Sequence, residues 1–260
     1  MNRILAICHS LSPEGLNGVN VFLRSLAQTF TMERFASIHI LHGPAISRKD
    51  FPAEIPIHLH PMPETQVGPA VYFHLSDLPL YPDDFVMHVD IRDAYFQSFP
   101  FAALEYSQTK LHVFAENSAK PVDQEPINLG WQNKLHANAI PDFLKGKPVV
   151  CFGVIGAGRW EVFQKHLKAV LRRMLMNQRF YGMDQTIHTT MVHENPENYI
   201  LHTNEDGPVM HLHTQQPVAE IRDRRLVIKT IKGCIPAVVH QYDRYPNLQK
   251  AVYTMYGVGA

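Results

Sequence analysis

The stretch Val86-Met87-His88-Val89-Asp90-Ile91-Arg92-Asp93-Ala94-Tyr95-Phe96-Gln97 decides how this chain is read, because an apolar, strand-like run delivers two aspartates at its carboxyl end. Two carboxylates beside an arginine at a strand end form an oxygen-rich ligand set suited to magnesium or manganese, and such an ion in turn suits a diphosphate. Taken alone, the Asp-x-x-Asp spacing also describes a solvated turn or a helix cap. The neighbouring segments choose between these readings.

Upstream, Arg3 to Cys8 is a short apolar run, followed by a Ser/Pro/Gly/Asn loop and by Val19 to Phe30, whose apolar positions 19, 22, 23, 26 and 30 recur at helical spacing. Ala36 to Leu41 and Ile55 to Leu59 read as strands, and Phe85 to Val89 as the strand that leads to the aspartates. Downstream, a short helical stretch precedes a strand over Leu111 to Ala115. Val149 to Ile155 reads as a further strand and Trp160 to Leu175 as a helix. This alternation predicts an α/β fold with a mainly parallel central sheet flanked by helices and with sites at its carboxyl edge. No linker divides the chain cleanly, the nearest candidates being Pro52 to Pro69 and Lys120 to Pro141, so a single domain over 1–260 is expected.

The 260 residues, 45% of them hydrophobic, suffice for one large core. Lys+Arg and Asp+Glu balance at 24 each, which argues against a broad nucleic-acid-binding surface. Sixteen histidines predict a surface that gains positive charge as pH falls below about 6.5. Cys8, Cys151 and Cys234 have apolar flanks and no metal-type spacing, and read as buried free thiols in a reducing compartment. No run approaches the roughly 20 apolar residues that span a bilayer, and Met1 to Ser10 turns polar too soon for a signal peptide; a soluble, cytoplasmic protein is expected.

Three further segments carry chemistry. Gly153-Val154-Ile155-Gly156-Ala157-Gly158 suggests a dinucleotide fingerprint, but Glu161 occupies the position that needs a glycine or alanine. A strand end made small so that backbone can approach a polar ligand, or a plain glycine-rich turn, fits better. In Tyr181-Gly182-Met183-Asp184-Gln185, an acid and an amide open a helix, with Asp184 either a cap or a site residue. In Ile235 to Pro246, an apolar strand ends in His240, suited to a metal or phosphate at the sheet edge or to a structural role. The pairs His58/His60 and His211/His213 have a spacing that can bind zinc, but with no third ligand nearby in sequence they read as solvated strand faces. Trp131 reads as a loop aromatic, and Glu116-Asn117 with Asn128 to Trp131 as an acceptor-side lining. Arg222 to Arg225 reads as a solvated hairpin turn before the strand Leu226 to Ile231.

Together and in this order, these segments resemble a nucleotide-sugar glycosyltransferase of the GT-A fold, a Rossmann-like single domain, over roughly Arg3 to Pro246. The resemblance implies that Asp90-Ile91-Arg92-Asp93, followed by Phe96-Gln97 and Pro100-Phe101, binds the metal and the donor diphosphate. It implies Asp90, Asp93 and His240 as ligands of Mn2+ or Mg2+, and Cys8, Asp90, Arg92, Gly153 and Val154 on the donor side. Asp184 and Gln185 look like the family's Asp-Gln motif and become the catalytic candidates. The nucleotide-binding part falls at about 1–115 and the acceptor-binding part at about 116–260. A uridine diphosphate sugar is the family's habitual donor, and the acceptor is a hydroxyl on a glycan, a lipid-linked substrate or a protein. The Asp-Gln pair tilts the expected stereochemistry toward retention.

Departures accompany the matches. Phe152 stands where relatives carry Asn or Ser, and Arg92 also suits a structural ion pair at the strand end. The opening loop Ser10 to Asn20 resembles two-domain GT-B enzymes as well, for which 260 residues are too few. The rival classes are a metal-dependent hydrolase built on Asp90, Asp93, His211, His213 and His240, a nicotinamide-dependent oxidoreductase on Gly153 to Gly158, and a non-enzymatic sugar-binding protein.

Overall fold

The computed structural model describes residues 1–8, 12–29, 36–63, 68–116, 119–213, 217–222 and 225–258. Ser10, Phe30, Asn117, Asp223 and Arg224, which belong to segments read above, lie outside them. In chain order the elements are β1 (Asn2–Cys8), α1 (Pro13–Thr29), β2 (Ala36–His42), β3 (Ile57–Pro61), α2 (Pro69–Ser76), β4 (Phe85–His88), β5 (Ala94–Phe96) and β6 (Leu111–Phe114). There follow α3 (Pro126–Leu135), β7 (Gly156–Arg159), α4 (Trp160–Met176), α5 (Met183–Glu194), β8 (Tyr199–His202) and β9 (Val209–His211). The chain continues through β10 (Val218–Arg222), β11 (Arg225–Lys229), β12 (Val238–His240) and α6 (Pro246–Tyr256).

The protein is α/β, with a seven-stranded central sheet in the order β3-β2-β1-β4-β7-β6-β8. β1, β2, β3 and β4 pair in parallel, as do β6 and β8, but β7 runs antiparallel to both its neighbours, so the sheet is mixed. The strand expected over Val149 to Ile155 is a loop with one isolated bridge, Ala115 to Val150, and the strand lies just beyond it at Gly156 to Arg159. The reason is packing. A β-carbon on Gly156 would sit 2.7 Å from the His112 carbonyl oxygen, so this residue lets β7 close onto β6. The helical stretch expected after Asp93 is instead strand β5, which joins β12 and β9 in a smaller sheet, while β10 and β11 form a hairpin.

Local signals account for most helices. Val19, Phe22, Leu23 and Leu26 of α1 are fully buried at i, i+3, i+4, i+7, and each such side chain contributes about 1.5–3 kcal/mol by leaving water. Prolines open α2, α3 and α6, and Gly257 in the left-handed region ends α6. The core falls into three clusters: α1 with the small sheet, α4 and α5 on the other side of the central sheet, and α6 against β9 and β12. The Gln97 side chain ties the small sheet to the hairpin by donating to the Ile228 and Pro236 carbonyls and accepting from the Ile228 N–H.

Two composition readings are corrected. Among the described residues eight histidines, including His39, His88, His166 and His211, are buried and do not charge the surface; burial lowers the pKa of His39 and His88 to about 3 and of His166 to about 4. Cys234 is exposed, whereas Cys8 and Cys151 are buried. Among the described residues no helix is long and apolar enough to cross a membrane.

Candidate metal and ligand site

The order of strands reverses between β1, whose chain turns back to β2, and β4 on its other side. In open α/β sheets this switch creates a crevice outside the carboxyl strand ends, where ligands bind. A cavity of about 660 Å³ opens there, lined among others by Ile7, His88, Asp90, Asp93, Gly153 and His240. Asp90 lies two residues past the end of β4 and its N–H donates to the Gly153 carbonyl at 2.8 Å, which ties the acidic loop to the Phe152–Gly153 turn. His240 arrives from β12, which pairs with β5 so that His240 faces Ala94, next to Asp93.

Ligand atoms of Asp90, Asp93 and His240 lie within 4.8 Å of one another. His240 Nε2 is 3.2 Å from Asp93 Oδ1, yet outside hydrogen-bonding geometry, so among the described residues this buried carboxylate oxygen has no donor. Such an orphaned oxygen, in a set of two carboxylates and one imidazole, fits a hard divalent cation of the manganese or magnesium type. Burial and the adjacent Asp93 charge push the Asp90 carboxyl up. Burial also opposes ionisation of Asp93, but the His240 imidazole beside it brings its pKa below the usual range. Burial likewise opposes charge on His240, and Asp93 overcomes it, raising the imidazole well above its ordinary value.

The remaining expected residues divide. Arg92 borders the cavity with an exposed side chain, its Nε 3.7 Å from Asp90, so the pair is loose rather than a structural clamp. Gly153 lies against the imidazole of His240. Cys8 and Val154 point instead into the core, Cys8 with its pKa raised to about 11 by burial; Ile7, one residue earlier, faces the cavity. Asp184 borders the cavity at the start of α5, where its Oδ2 accepts from the Tyr72 hydroxyl at 2.9 Å. Gln185 is tied at both ends: its Nε2 donates to Asn128 Oδ1 at 3.1 Å and its Oε1 accepts from the Phe152 N–H at 3.4 Å. Trp131, expected in a loop, sits on α3 at the cavity edge with Tyr181 against it.

Several residues were not legible as site residues. Arg179 and Arg244 join Arg92 on the lining, adding two cations to the cavity wall. Cys151 and His211 lie behind His240: His211 Nδ1 is 2.9 Å and Cys151 Sγ 3.7 Å from His240 Nδ1. His211, expected on a solvated face, is fully buried, and the Asn204 side chain grips both its N–H and its carbonyl. The signal for that grip would have been an asparagine before a short apolar strand, which is too common to single out. Comparison with protein-family models gives no match, and comparison with curated proteins gives none either.

Proposed function

We propose that this protein is a divalent-metal-dependent glycosyltransferase of GT-A type that takes a nucleotide-diphosphate sugar, with UDP as the favoured nucleotide, and glycosylates a hydroxyl acceptor. One observation carries the reading: Asp90, Asp93 and His240 converge at the carboxyl ends of strands, beside the strand-order switch, in a cavity that also reaches Asp184. Asp90, Asp93 and His240 would hold Mn2+ or Mg2+, which supplies Lewis-acid neutralisation of the diphosphate leaving group. Arg92, Arg179 and Arg244 add cationic side chains for the phosphate oxygens. Tyr72, Trp131 and Tyr181 offer aromatic surfaces for a sugar ring or base. Asp184, oriented by the Tyr72 hydroxyl, is the group for the transferred sugar or the acceptor hydroxyl, and the Asp-Gln pair favours retention. Gln185 holds the Phe152 turn and positions the site from behind.

The test is thermal stabilisation by a panel of nucleotide sugars, each with manganese and with chelator. A ligand of the folded state at 100 times its Kd adds about 2.7 kcal/mol. A metal-dependent shift with one donor supports the reading. No shift with any donor, alongside metal-dependent phosphoester or ester hydrolysis, would replace it by the hydrolase.

A further inference from the structure

We propose that Cys151, His211 and His240 form a second metal site that takes zinc or another thiophilic ion. The ligand atoms of Cys151, His211 and His240 lie within 4.8 Å of one another, and the three residues are 1%, 0% and 2% exposed. A tetrahedral zinc with bonds of about 2.0–2.1 Å to nitrogen and 2.3 Å to sulfur sets N···N near 3.3 Å and N···S near 3.6 Å. The observed Nδ1···Nδ1 separation of 2.9 Å and Sγ···Nδ1 separation of 3.7 Å require shifts of only a few tenths of an ångström.

The surroundings match such an ion. β12 and β9 pair with His240 opposite His211, and the Asn204 side chain holds His211 at its N–H (2.6 Å) and carbonyl (2.9 Å), fixing both rings from the backbone. The Glu116 carboxyl, itself buried, lies beside the Cys151 thiol. Loss of one proton from each would give a thiolate and a carboxylate that cancel a buried divalent charge. On the far side of His240, Asp93 faces Nε2 at 3.2 Å, the carboxylate–histidine–metal arrangement that orients a ligating imidazole. Sulfur and two imidazoles select a softer ion than the two carboxylates of Asp90 and Asp93 do. The site uses Nδ1 of His240 and leaves Nε2 facing Asp93, so a ring that carries its proton on Nε2 serves this ion and not one held by Asp90 and Asp93. It needs neither Asp90 nor a sugar donor, and so goes beyond the glycosyltransferase reading.

The experiment uses chelator-stripped protein carrying Cys234→Ser, which removes the exposed thiol, titrated with Co2+ as a spectroscopic probe. The expected result is a near-ultraviolet thiolate-to-cobalt absorption that saturates at about one equivalent and is displaced by zinc. Cys151→Ser abolishes the band, Asp93→Asn weakens cobalt binding about 10–100-fold, and Asp90→Asn leaves the band in place. Absence of the band, its survival in Cys151→Ser, or its loss in a folded Asp90→Asn variant overturns the proposal. Should Cys151→Ser not fold, His211→Gln decides: a tenfold or greater loss of affinity supports the site and unchanged affinity overturns it. Failure of the manganese-dependent sugar panel would leave these outcomes unaltered, so the two readings fail separately.

Discussion

Gly153 lies against the ring of His240 so closely that a β-carbon at position 153 would stand 2.5 Å from Cε1 and 2.7 Å from Nε2. The glycine is therefore a steric condition for the imidazole to face Asp93. Gly153→Ala must rotate His240 or move the turn. Manganese-dependent stabilisation by the nucleotide sugar is expected to fall at least tenfold in affinity, while far-ultraviolet circular dichroism stays unchanged. Wild-type binding by the alanine variant would show that His240 is not needed where it stands.

Asp93→Ala should abolish metal-dependent donor binding. It also leaves the His240 charge buried without its partner, a loss of about 3 kcal/mol or more of stability. Asp93→Asn keeps the shape and separates the two effects. Denaturant unfolding and donor titration on both variants check this, and normal nucleotide-sugar binding by a folded Asp93 variant would remove the metal assignment.

Tyr72→Phe deletes the hydroxyl that, among the described residues, donates to Asp184 Oδ2. A hydrogen bond to a charged acceptor contributes about 1.5–3 kcal/mol, so turnover is expected to fall about tenfold or more with donor affinity unchanged. The measurement is kcat against KM for the donor, once the donor is identified. Equal loss in both would place Tyr72 in ground-state binding instead.

The chain should lose stability in mild acid. His166 is buried against His188 and Tyr199, and burial lowers its pKa from 6.5 to about 4. The unfolded chain therefore takes up the proton first. This contribution is fully present above about pH 6.5 and is lost as pH falls toward 4, on the order of 3 kcal/mol for this residue. Urea midpoints at pH 7.5, 6 and 5 should decline, and His166→Gln, which keeps polar atoms but does not titrate, should flatten the decline. An equal slope in the variant would assign the effect elsewhere.

The strand endings of β1 and β4, the helix α4, the buried face of α1 and the acidic pair were legible because they rest on local pattern, whereas the first turns of α1, from Pro13, fall on the segment read as a loop. Apolar spacing at 3.6 residues survives as Val19, Phe22, Leu23 and Leu26 on one buried face. The segment 149–159 was not legible in the same way. Apolar Val149 to Ile155 has the composition of a strand, and Gly156-Ala157-Gly158-Arg159 does not, yet β7 forms on the latter. Intrinsic preference loses there to the demand that two neighbouring strands approach closely.

The histidines teach the same lesson. His39 stands opposite His58, and His211 opposite His240, only because β2 pairs with β3 and β9 with β12 in those registers. His112 meets His202 across 90 residues.

The sequence by itself determined an α/β chain with two carboxylates at the end of an interior strand, because hydrophobic period and strand-end chemistry are properties of neighbouring residues. Only the tertiary structure decided that His240, Cys151 and His211 gather behind those carboxylates, that β7 reverses in the sheet, and that eight of the sixteen histidines are buried. Those outcomes depend on pairing registers and close contacts between segments far apart in the chain, and no local pattern encodes them.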